Sequence, residues 1–273
     1  MPKQTIDITL PALLQYSSLV RELSESIFAH IGFTNEWTAR LKLVVDELFM
    51  NANRYASKEG QSKIYLSFEY DESELHFRIE DEGAGEQKIT AEELRKRIHQ
   101  NEVALEDLHK TSGRGLALIS KLWTDGFTVE DNDRGGISIT FVKKVQSAAP
   151  PAPPISKTVG AQPPVTEEST PTAKVLTTGS KEVISIDGEI DASNLEEKVS
   201  PIEAKVKTLG ANAVLELDCA KLRYFNSTFI GHLAAWHNAL QEKGGQLVLK
   251  NANKDVQDIL QLVGLSKVIY VDT

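Results

Sequence analysis

Four short stretches carry side chains that could do chemistry. In VVDELFMNANRYA, Glu47 and Asn51 lie four residues apart, which on a helix sets an acid and an amide one above the other on one face. Taken alone, such a pair also fits a solvated, helix-stabilising strip. In RIEDEGAG, Asp81 ends an alternating strand just before a turn holding Gly83 and Gly85. An aspartate there can accept a hydrogen bond from an adenine amine, and glycines beside it let the backbone approach a base plane; a plain hairpin turn uses the same residues. In SGRGLALI, Gly113 and Gly115 precede a helix-like run, where unpaired N–H groups and the helix dipole favour a phosphate. Glycine is also common at any helix boundary. Finally, YFNSTFIG sets two adjacent hydroxyls, Ser227 and Thr228, where a strand-like run becomes helix-like. They suit either a phosphoacceptor or an ordinary helix cap.

The elements that must position these residues fall into two groups. Seven of the ten prolines lie between Pro150 and Pro171, in a stretch with almost nothing large and apolar. That composition cannot offset the entropy of ordering it, so a flexible Pro-rich linker is expected at 146–173, with domains at 1–145 and 174–273. Fully extended, it reaches several tens of ångströms, which lets the two domains touch or stay apart.

In the first domain TIDITL alternates as a strand, and PALLQYSSLVRELSESIFAHIG has helical apolar spacing with a glycine stop. A second helix is expected from about Asn35 to Ala56, capped by Thr34 or Asn35, with Val44, Val45, Leu48 and Phe49 against a sheet. Two hairpins follow, turning at DES and NDRGG. Helices plus antiparallel hairpins predict a two-layer α/β sandwich. In the second domain VLTTGSKEVISIDGEID reads as two short strands, and strands then alternate with helices, which predicts an α/β domain built on βαβ logic.

Composition narrows the function classes. The chain has 273 residues, 41% hydrophobic and 25% charged, with a formal net charge of −9, which argues against a general nucleic-acid binder. The single cysteine, Cys219, excludes an intramolecular disulfide. No apolar run approaches the roughly 18 residues of a membrane span, and MPKQTIDITL lacks a signal-peptide core, so a cytoplasmic location and no membrane role are expected.

Taken in order, E-x-x-x-N on a helix, D-x-G-x-G after a strand and G-x-G-L into a helix resemble the GHKL ATP-binding fold, and the anti-sigma-factor serine kinases most closely. The resemblance covers about 1–145. It implies ATP and Mg²⁺ as cofactors, Asn51 on Mg²⁺, Glu47 as general base or orienting group, Asp81 on adenine, and Gly83 and Gly85 in the base pocket. Gly113, Arg114 and Gly115 would shape the phosphate lid, with about 86–112 mobile over ATP and its charge-rich EELRKRIHQNE solvated and partner-facing. Where some such kinases carry an arginine ahead of the Ser-Gly-x-Gly stretch, this chain has Lys110 and Thr111; Lys110 can supply charge, but as a point rather than a fork.

GEID, the strand–hydroxyl–helix junction and QLVLKN…ILQLVGLSKVIYV resemble a STAS domain, the fold of anti-sigma-factor antagonists, over 174–273. In that class a junction hydroxyl is phosphorylated, which implies Ser227, with Thr228 as the alternative. The usual aspartate and first glycine are here Asn226 and Phe229; the latter adds bulk where a kinase must approach. Together the resemblances imply a partner-switching regulator: a serine/threonine kinase acting on a STAS domain, its own or another's. A sigma factor and a Ser/Thr phosphatase are expected as further partners, with a homodimer as a possible state. The alternative is a non-catalytic ATP-binding switch with a degenerate STAS domain.

Overall fold

The computed structural model describes residues 2–86, 89–103, 116, 119–145 and 179–272. The expected linker and the residues Lys110, Thr111, Gly113, Arg114 and Gly115 lie outside them.

The first domain is built on a five-stranded antiparallel sheet. Its strands are β1 (Gln4–Pro11), β2 (Lys63–Tyr70), β3 (Glu74–Glu80), β4 (Gly126–Asp131) and β5 (Ile137–Lys144), in the order β1-β2-β3-β5-β4. Alternation in β2, β3 and β5 sends one face inward. On that face Phe68 stands opposite Phe77, and Phe77 opposite Phe141, with ring centroids 4.9 and 5.1 Å apart. This cross-strand ladder meets Phe28 of helix α1 (Ser17–Ile31), which fixes the helix layer on the sheet. Both hairpin turns are closed by side chains. Asp71 Oδ1 accepts from the Ser73 and Glu74 amides, and Asn132 Oδ1 from the Arg134 and Gly136 amides.

Helix α2 (Asn35–Ala56) starts at Thr34, whose hydroxyl accepts from Trp37 N. From Leu43 to Met50 every residue except Glu47 is buried, so this middle stretch of α2 is covered on more than the sheet side. Its second cover is the other domain.

That domain has a four-stranded parallel sheet in the order β6 (Lys181–Ile190), β7 (Val214–Phe225), β8 (Gln246–Lys250), β9 (Tyr270–Asp272). Crossovers run through α4 (Leu195–Thr208), α5 (Ser227–Gln241) and α6 (Lys254–Leu262); α3 (Ala91–Val103) belongs to the first domain. Of the two short strands expected over VLTTGSKEVISIDGEID, the described part holds one, β6; the first four residues of that stretch lie outside the described residues. The Asp-Gly of β6 is absorbed as an irregularity, with register shifts on either side and Gly188 at φ 72°, so the glycine bends the strand without ending it.

Candidate functional site

The site grows out of α2. Glu47 and Asn51 share one face, and Asn51 Nδ2 donates to Glu47 Oε1 at 3.1 Å. Strand β3 delivers Asp81, which is 6% exposed; its Oδ1 accepts from Gly83 N at 2.9 Å and Ile137 N at 3.2 Å. Among the described residues the carboxylate is braced through Oδ1 alone, and Oδ2 has no partner. Burial pushes its pKa up to about 6, against the pull of those two amides. The turn after Asp81 sits backbone-to-backbone on the β4–β5 hairpin. A Cβ on Gly83 would lie 2.1 Å from Gly135 O, and one on Gly136 would lie 2.1 Å from Asp81 Oδ1. Gly83 also has φ +58°. Asn132 Nδ2 ties the hairpin to Asp81 O at 2.9 Å. Gly85 follows in the same turn.

Helix α3 opens with a capping box: the Thr90 hydroxyl accepts from Glu93 N, and Glu93 Oε2 accepts from Thr90 N. Its charged side chains Glu92, Glu93, Arg95, Lys96 and Arg97 are exposed, as its composition predicts, and its other side rests on the sheet. Ala91 and Ile98 are buried, Ala91 N donates to Asp131 Oδ1 at 2.9 Å, and Arg95 Nη1 donates to Val129 O, so the helix is fastened to β4.

The STAS-like domain lays its strand–helix junction on α2. Adjacent residues of β7 point opposite ways. Phe225 turns inward against Phe229 (centroids 5.8 Å apart), and Tyr224 reaches the first domain. Ser227 Oγ donates to Glu47 Oε2. Thr228 makes no hydrogen bond to a described residue. Neither hydroxyl caps α5: Asn226 does, accepting from Phe229 N at 3.0 Å while its Nδ2 faces Met50 Sδ at 3.5 Å. Phe229 does not obstruct the approach. It is 1% exposed and packs inside its own domain against Phe225 and Trp236.

Beside this contact lies a buried charge cluster. Arg21 of α1 is 2% exposed. Its Nη1 donates to Asp46 Oδ1 at 2.8 Å, its Nη2 to Glu189 Oε2 and Asp191 Oδ2 at 2.7 Å each, and its guanidinium lies 4.3 Å from the Tyr224 ring centroid. Tyr224 OH donates to Asp46 Oδ2 at 2.9 Å. Burial opposes the Arg21 charge, but Asp46 and the other surrounding groups outweigh it and hold the guanidinium more firmly protonated. Burial pushes Asp46 up to about 6, against Arg21's pull, and drives the Tyr224 phenol well above its usual range. Asp191 is held below the usual carboxylate range: burial works against this, and hydrogen bonds from Ser193 and Arg21 prevail.

Sequence reasoning missed this cluster. Its one local signal is the phase of Arg21, which falls within the buried stripe Ser17, Val20, Ser24 and Phe28 of α1.

Comparison with known proteins places both halves. The model of the histidine kinase-like ATPase domain matches residues 10–143. Serine-protein kinase RsbW of Staphylococcus aureus (strain MSSA476) is 31% identical over 144 residues, 52% of this chain and 89% of that protein. The chain belongs to this family of histidine kinase-like ATPases. A second relative, serine-protein kinase RsbW of Listeria innocua serovar 6a, is 29% identical over 142 residues, 51% of this chain and 87% of its own. In this ATPase-family chain the C-terminal half matches the STAS model described as "Mlab, STAS domain" over residues 174–270. A solved structure of the anti-sigma factor antagonist SpoIIAA in its unphosphorylated form aligns with 36% of this chain and 84% of that one, at 20% identity and a TM-score of 0.31.

The braced Asp81, with Oδ2 unpartnered among the described residues beside Gly83, which admits no Cβ, fits a nucleotide base. Asn51 offers a neutral oxygen ligand. No group of three or more His, Cys, Asp or Glu is placed to hold a metal among the described residues. That donor set suits Mg²⁺, which takes few protein ligands and relies on substrate phosphates. Among the described residues no helix is long and apolar enough to cross a membrane.

Proposed function

We propose that the chain is an ATP- and Mg²⁺-dependent serine kinase whose own STAS domain occupies the substrate position, with Ser227 as the acceptor. The observation that carries this reading is the hydrogen bond from Ser227 Oγ to Glu47 Oε2. An acceptor hydroxyl bonded to a carboxylate is poised to lose its proton to it. Bound ATP would supply the phosphoryl group, and a Mg²⁺ ion held by Asn51 would offset charge on its phosphates. The chain's residues do the rest. Asp81 and the turn of Gly83 and Gly85 would hold adenine, Asn51 would hold the metal, and Lys110 with Gly113, Arg114 and Gly115 would bind the phosphates. Ser227 Oγ bonds to the γ-phosphorus as the bond from that phosphorus to the ADP oxygen breaks, and the hydroxyl proton passes to Glu47.

The product adds nearly two negative charges beside Glu47, which favours release of the STAS domain. A tether over 146–173 keeps the released domain at an effective concentration of about millimolar, so free partners compete mainly after phosphorylation. Those partners would be other STAS proteins, a sigma factor and a Ser/Thr phosphatase. Phe229, which as a bulky substitution favoured a non-catalytic switch, is turned into the STAS core and no longer argues for one.

Incubating the pure protein with labelled ATP and Mg²⁺, then mapping the site by mass spectrometry, tests the proposal. One phosphate on Ser227 is expected. Normal ATP binding with no incorporation, into itself or into added STAS proteins, would refute the kinase.

A further inference from the structure

Three side chains of the STAS junction meet three of α2, and in each pair the STAS side donates. Tyr224 OH donates to Asp46 Oδ2 at 2.9 Å, Ser227 Oγ to Glu47 Oε2, and Asn226 Nδ2 to Met50 Sδ at 3.5 Å. On α2 two carboxylates and a thioether have only lone pairs to offer. Arg21 already takes Asp46 Oδ1, so the phenol is what satisfies Oδ2. Asp46 is 1% exposed, and a junction without that donor would leave its carboxylate buried and half-satisfied.

Asn226 is held in one orientation. Its Oδ1 is used inside its own domain to cap α5, and its backbone N–H donates to Ile190 O, which turns Nδ2 towards Met50. An aspartate here would still cap the helix. It would lose the donor and add a carboxylate to a patch that already holds Asp46 and Glu47.

We propose that α2 reads the junction by this donor-to-acceptor match. Tyr224 and Asn226 are then positioning residues that make the tethered STAS domain the favoured occupant of the kinase surface. The proposal rests on the reading of Ser227 as the docked acceptor, but its test needs no nucleotide.

Met50 is 4% exposed and lies under Asn226, so its oxidation reports opening of the junction. The full-length chain has two methionines, and Met1 serves as the internal reference. Initial rates of Met50 oxidation by dilute hydrogen peroxide, read by peptide mass spectrometry, are compared for wild type, Tyr224→Phe and Asn226→Asp. Tyr224→Phe keeps the ring over Arg21, and Asn226→Asp keeps the cap. Each should raise the rate about tenfold or more, the effect of losing a hydrogen bond to a charged or buried partner. Rates within twofold of wild type for both single variants overturn the proposal. If the rates move as expected but no chain takes up phosphate from ATP, the match stands and the catalytic reading falls.

Discussion

Ser227 Oγ donates a hydrogen bond to Glu47 Oε2 from 180 residues further along the chain. Both ends sit on regular elements, Glu47 in the middle of α2 and Ser227 on the first turn of α5, so the pairing is a property of how two rigid bodies dock. Replacing Glu47→Gln keeps the shape and removes the proton acceptor. Phosphate incorporation at Ser227 should fall about 10²- to 10⁴-fold, while ATP affinity changes little. Radiolabel incorporation beside calorimetric ATP titration checks both; full incorporation in the variant would mean that Glu47 is not the base.

The two junction hydroxyls should separate cleanly. Ser227→Ala removes the acceptor and should abolish incorporation into the chain. Thr228→Ala, whose hydroxyl bonds to no described residue, should leave incorporation within about threefold and cost under about 0.5 kcal/mol of stability. Intact-mass spectra of the two variants after ATP treatment decide it, and a phosphate retained in Ser227→Ala would move the acceptor to Thr228 or elsewhere.

Phe229 is a core residue by its contacts, packed between Phe225 (tilted) and Trp236 (edge-on). Phe229→Ala should therefore destabilise the STAS domain by about 3–5 kcal/mol without speeding phosphate transfer. Denaturant unfolding followed by circular dichroism measures the first part. A stable variant that transfers phosphate faster would show that the ring obstructs the kinase instead.

Much of the site was legible because its signals are local. Four-residue spacing set Glu47 and Asn51 on one face, and the glycines of DEGAG mark the turn that braces Asp81. What stayed hidden depends on a second body. Asp46 and Tyr224 are 178 residues apart, and no periodicity links them. A buried charge reads like a solvated one in a sequence, and the unbroken burial around Asp46 makes sense only once another domain covers that side of α2. Asn226 was read as a departure from a family pattern, whereas its two ends serve as cap and contact. Within β6, Asp187-Gly188 is a local turn signal that pairing with β7 on both sides overrides.

Asp46 and Asp81 give the chain a pH dependence of definite sign. Each carboxyl has a folded-state pKa raised by burial from 3.8 to about 6, so the folded chain binds a proton more readily than the unfolded one. Protonation of such a group stabilises the fold fully below the unfolded pKa, and that stability is lost as pH rises through about 6. Around Asp46 the charged or titratable neighbours are Arg21, Tyr224, Glu47, Glu189 and Asp191. Asp191 is shifted the other way, so its contribution fades only in more acid solution, below the window at issue. Between pH 7.5 and 5.5, values chosen to bracket about pH 6, each raised carboxyl should add about 1 kcal/mol of stability. Asp46→Asn should remove its share and leave that of Asp81. Urea unfolding of both proteins at the two pH values gives the slopes. His237, whose pKa burial lowers, works the other way in this window but acts equally on both proteins, so a pH response no different between wild type and Asp46→Asn would show that Asp46 stays ionised against Arg21.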